Sequence, residues 1–134
     1  MSVEEKKVAV VACAGMDKAL GSVARACAFK VVQDLKPKES VLVCIPPLVI
    51  GVNSHSEWIK KYPVVTIDGC AERCATKIVA EKRGKIRGRV FIPNGVKKHG
   101  LKPKESAEIG LDGKKLAEKI ADETALLIGK ILRK

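Results

Sequence analysis

The sequence predicts an α/β domain, a three-layer sandwich around a mostly parallel four-stranded sheet of the flavodoxin or Rossmann type. Three observations lead there. Short apolar runs of strand length alternate with longer segments of helical periodicity, the pattern of right-handed strand–helix–strand crossovers. The first two runs carry no polar alternation, as expected of strands covered on both faces. Finally, 134 residues, 46% hydrophobic and 31% charged, suffice for one packed domain over residues 1–134.

Val8-Ala-Val-Val-Ala12 is the first strand. Leu20, Val23, Ala24, Cys27 and Val31 then recur at helical spacing, so a crossover helix should run from Met16 to about Leu35, ended by Pro37. The second strand, residues 41–45, stops at Pro46 and Pro47, which cannot donate to a sheet ladder. Ser54-His-Ser-Glu57 has capping-box form and predicts a short helix over residues 55–61 with Trp58 as its anchor. Residues 63–67 are a third strand. Asp68-Gly69 turns the chain into a helix holding Cys70 and Cys74 in its first turns and ending at Gly84 as a left-handed cap. A fourth strand, residues 89–92, ends at Pro93-Asn-Gly95, and a lysine-rich loop leads to Asp112 as N-cap of the last helix. That helix presents Leu116, Ile120, Leu127, Ile128 and Ile131 on one side.

The Val8 to Gly15 run is too short to span a bilayer, which takes ~20 apolar residues. Glu4 and Glu5 offset Lys6 and Lys7 ahead of it, unlike the basic start of a signal peptide. The expectation is a cytoplasmic protein without membrane attachment. Five cysteines, an odd number, then point to free thiols or a metal rather than disulfides. A net charge of +11 admits a polyanionic partner, with Lys77, Lys82, Arg83, Lys85, Arg87 and Arg89 as candidate phosphate contacts. Aromatics make up only 3%, however, too few for a platform on which bases stack, so nucleic-acid binding is not the favoured reading.

Cys13 and Cys44 fall where the first and second strands end, and Cys70 and Cys74 follow the third. In a sheet ordered 2-1-3-4, neighbouring strands lie about 4.8 Å apart and the topological switch point falls between strands 1 and 3. Cys13, Cys44 and Cys70 then converge, and Cys74, one helical turn from Cys70, can close the set. Sulfur atoms so placed could bind a tetrahedral zinc ion through bonds of ~2.3 Å. Four thiolates also suit an iron–sulfur cluster. Each cysteine could equally be a small buried hydrophobe, and Cys27, on the apolar stripe of the first helix, is assigned to the core. Lys18, Arg25, Arg73 and Lys77 are available to offset thiolate charge.

Thr66-Ile-Asp-Gly-Cys70-Ala-Glu-Arg-Cys74-Ala resembles the family named for its Asp-Gly-Cys motif, the DGC-domain proteins. Cys13-Ala-Gly15, followed by Gly21 and Ala24-Arg25, is similar to that family's first motif, and Cys44 stands where its second lone cysteine falls. The resemblance implies a four-cysteine metal site at Cys13, Cys44, Cys70 and Cys74, with zinc assigned from the cysteine pattern. Cys27 departs from the four-ligand pattern, which leaves an alternative ligand or resolving thiol open beside its core assignment. Asp68 is either an N-cap or an acceptor close to the metal. His55 is a surface residue or a fifth ligand, and His99 has no evident partner.

A site closed by four sulfurs leaves no position for zinc-bound water and so suits binding better than hydrolysis. The competing reading is thiol chemistry, sulfur transfer or redox, with Cys70 made nucleophilic by a helix N-terminus and Arg73.

Overall fold

In a computed structural model describing residues 6–13, 18–103 and 108–133, the strands β1 (Val8–Ala12), β2 (Ser40–Val43), β3 (Pro63–Asp68) and β4 (Lys85–Phe91) form one sheet in the order β2-β1-β3-β4. Every pairing is parallel. This is the 2-1-3-4 order on which the convergence of the cysteines was conditional. The sheet is wholly rather than mostly parallel.

Central strand β1 shows why its sequence lacks polar alternation. Val8, Val10 and Ala12 enter one core layer, Ala9 and Val11 the other. The first layer joins β1 and β3 to Val23, Ala24 and Cys27 of α1 (Ala19–Lys30), Ile92 of α5 (Ile92–His99), and Leu116, Ile120 and Ile128 of α6 (Gly110–Leu132). The second joins Ala9, Val11 and Val64 to Leu48 of α2 (Ile45–Ile50), Ile59 of α3 (Asn53–Lys61), and Ala75 and Val79 of α4 (Cys74–Glu81). Helices therefore cover both faces, completing the three layers.

Several predicted boundaries move, each for a local reason. The described part of the first helix starts at Ala19, and its last five residues, Val31–Leu35, are π-helical; Met16 lies outside the described residues. β2 ends at Val43, two residues before the expected boundary, because Pro46 and Pro47 lie in the first turn of α2, where no backbone donor is needed. Ser54 does not cap α3, which begins at Asn53 with Val52 as N-cap and no side-chain cap bond. Ile59 anchors that helix in the core, while Trp58 is only partly buried at its margin. The left-handed residue after α4 is Arg83, with φ 62°, rather than Gly84. Strand β4 starts four residues earlier than expected, and the predicted lysine-rich loop contains α5, with Pro93 again in the first turn. Asp112 sits inside the first turn of α6 rather than at its N-cap.

Cys27 is fully buried, with Sγ 4.0 Å from Thr124 Oγ1, as its core assignment required. Burial raises its thiol from an ordinary 9.0 to about 12, against a smaller opposing effect of the Thr124 contact. Because the folded state holds this proton more tightly, the stabilisation is complete below pH 9 and is lost as the pH climbs from 9 towards about 12. Thermal melts at pH 7 and 10 should show a smaller loss of Tm for Cys27→Ala than for the parent; equal losses would contradict this assignment. His99 acquires a neighbour, its Nε2 lying 3.4 Å from Glu123 Oε2 without hydrogen-bond alignment, and Lys98 pairs with the same carboxylate.

Candidate functional site

Cys13 follows β1 directly, and its amide still donates to Ile67 O across the sheet at 2.8 Å. The β3 end is tied to the next helix by Asp68, a carboxylate only 1% exposed. It accepts hydrogen bonds from the Ala75 amide at 2.9 Å, the Thr76 amide at 3.3 Å and the Thr76 hydroxyl at 2.6 Å. Asp68 thus caps α4 from six residues before its start, supporting the capping reading and fixing Cys74, the first helical residue, against the sheet.

Cys70 is not in that helix. It lies in a turn closed by Arg73 N donating to Cys70 O at 3.0 Å, and Arg73 takes φ 50° to start α4. The predicted one-turn relationship between Cys70 and Cys74 is therefore replaced by a turn that folds one back beside the other. Gly69 lets this turn approach α1: a Cβ there would stand 2.6 Å from Leu20 O and 2.8 Å from Gly21 N.

Cys13, Cys70 and Cys74 line one cavity of about 130 Å³ together with Lys18, Gly21, Gly69 and Glu72. It opens between the carboxyl ends of β1 and β3, where the sheet order reverses and open α/β sheets hold their ligands. The Cys74 thiol is pushed up by desolvation and then by Cys13, which lies within hydrogen-bonding reach, with Cys70 and Asp68 adding to the rise. Of the cations available in sequence, Lys18 lines this cavity. Arg25 lies over the Phe29 ring at 4.7 Å and Arg73 over Phe91 at 4.1 Å.

Cys44 stands apart from these three. Val43 pairs with Val11, so Cys44 is level with Ala12, one residue short of Cys13. It is exposed and lines a separate, larger cavity. Its amide donates to His55 Nδ1 at 3.1 Å, and the His55 ring rests against Trp58 with centroids 5.2 Å apart. An accepting Nδ1 places the ring proton on Nε2. His55 is thus a support for the Cys44 backbone, a role that needed the α2–α3 connection to become visible. Among the described residues, no group of three or more His, Cys, Asp or Glu side chains is arranged to hold a metal ion.

Of the basic residues considered for phosphate binding, Lys77 lies on α4, Lys82 and Arg83 follow it, and the other three lie on the edge strand. Lys85, Arg87 and Arg89 are exposed on β4, which has a free edge, and charged residues there also discourage strand addition. No helix among the described residues is long and apolar enough to cross a membrane.

A family model described as DGC domain matches residues 9–123. No curated protein and no solved structure matches the chain.

Proposed function

The chain belongs to the DGC-domain family, and from that premise we propose that it is a zinc-binding protein whose ion is held by Cys13, Cys70 and Cys74, with Cys44 as fourth ligand. One observation carries this reading: three thiols, one at the end of β1 and two from the β3–α4 junction, line a single small cavity at the switch point of the sheet. Cys74 holds its proton more tightly than a free thiol, in part because of its sulfur neighbours, and a soft dication bound by thiols replaces their protons. Lys18 and the first turn of α4 offset the charge that four thiolates leave.

Cys44 joins the set by turning its side chain from the neighbouring cavity toward Cys13, one residue away in register. The chain's own contribution is positional. Asp68 fixes Cys74, the Gly69 contact fixes Cys70, and the β1–β3 ladder fixes Cys13. With four sulfur ligands the ion supplies a closed, structural or sensory centre. The raised Cys74 thiol counts against this residue as a thiolate nucleophile at neutral pH.

Elemental analysis of purified protein, before and after zinc reconstitution, should give one zinc per chain. Cys70→Ser and Cys74→Ser should each weaken zinc binding by about 100-fold or more, since losing even an outer-shell partner costs 10–100-fold. Cys27→Ser should leave affinity unchanged. Zinc far below one per chain after reconstitution would sink the reading, and visible absorbance after anaerobic purification would reassign the site to iron and sulfur. Affinity should also fall as the pH is lowered, because protons compete for the thiolates.

A further inference from the structure

The larger cavity beside the thiols, about 350 Å³, shares only Cys44 with the zinc site proposed above. It opens over the carboxyl ends of β1 and β2, between α1 and the start of α2, and its volume falls in the range of roughly 300–1,000 Å³ usual for small-molecule sites. Ala28, Leu42, Ile45 and Pro47 make its wall apolar. Among the residues lining it, Arg25 is the single charged one.

The Arg25 guanidinium carbon lies over the Phe29 ring at 4.7 Å, a cation–π contact that leaves the group charged and holds it beside the cavity. Among the described residues no carboxylate pairs with it. A planar fork of donors that meets no carboxylate among the described residues, at the side of an apolar cavity, matches a carboxylate attached to an apolar body. One cation balances one negative charge, which favours a monoanion over a phosphate dianion.

We propose that this cavity binds a small apolar monocarboxylate, its carboxylate on Arg25 and its body against α1, β2 and the first turn of α2. The bound molecule covers Cys44, which lines the same cavity. The site needs no metal, so its failure would leave the zinc stoichiometry untouched, and the reverse also holds.

Octanoate, below its micellar concentration, and 1-octanol are the probes, titrated into metal-free full-length protein by NMR. Octanoate should bind saturably, about tenfold more tightly than 1-octanol, as a charge-assisted hydrogen bond warrants. Arg25→Gln, at an exposed position, should weaken octanoate about tenfold and leave 1-octanol unchanged. Saturating octanoate should slow iodoacetamide labelling of Cys44 at least about fivefold without slowing that of Cys70. Equal octanoate affinity in the parent and Arg25→Gln, no preference over 1-octanol, or unchanged Cys44 labelling would each overturn the proposal.

Discussion

Asp68→Ala should lower the unfolding free energy by about 3 kcal/mol, the sum of a lost helix cap and of buried donors left without an acceptor. The carboxylate accepts from two amides and one hydroxyl, and it is 1% exposed, so water cannot replace it without opening the β3–α4 junction. Asp68→Asn keeps one acceptor oxygen but turns an NH2 group toward a donor, so it should recover only part of the loss. Urea unfolding of the parent and both variants measures this. A change below about 1 kcal/mol for Asp68→Ala would mean that α4 is held by its apolar face, Ala75 and Val79, and not by its cap. Zinc affinity should fall alongside stability, since the capped amides belong to the two residues that follow Cys74.

Gly69→Ala should cost about 2–3 kcal/mol, near the upper end of overpacking penalties, because nothing near the new methyl group is flexible. The three closest atoms, at 2.6, 2.7 and 2.8 Å, are all backbone atoms of Leu20 and Gly21 in the first turn of α1. Relief requires the turn carrying Cys70 to withdraw from α1, widening the cavity that the three thiols line. Gly100→Ala is the contrasting case. It has φ 66° and open space around its Cβ position, so it carries only the backbone penalty of about 1 kcal/mol. Denaturant unfolding should rank Gly69→Ala as the more damaging of the two, and the reverse order would show that α1 yields.

These two residues show what a linear motif hides. Asp-Gly-Cys was recognisable as a turn with a cysteine after it, and an Asp before a helix suggests a cap. Nothing local revealed that this Asp would reach over Gly69 to Arg73 to cap a helix beginning at Cys74. The missing helical turn explains the misplaced start: residues 70–75 have helical spacing, but Arg73 adopts a left-handed conformation that interrupts it. Cys44 shows the opposite limit. Register placed it correctly at the end of β2, yet the side to which its thiol turns depends on α2, and the prolines taken as a strand stop begin that helix. Helix α5 was missed because Pro93, Asn94 and Gly95 are turn formers, while Gly95 is buried where a Cβ would run into the Ile120 side chain of α6.

By itself, the sequence determined the parallel α/β sandwich, the core position of Cys27 and the gathering of thiols at one edge. Each follows from properties carried along the chain: unalternated Val and Ile runs, helical periodicity, and the rule that parallel strands end on the same side. Tertiary structure decided which thiols meet, what holds them and what stands beside them. Cys13, Cys70 and Cys74 share a cavity because β1 lies against β3, and Gly69 touches α1 because the two backbones approach there. Such contacts join segments dozens of residues apart, and their distances depend on packing that no local pattern encodes.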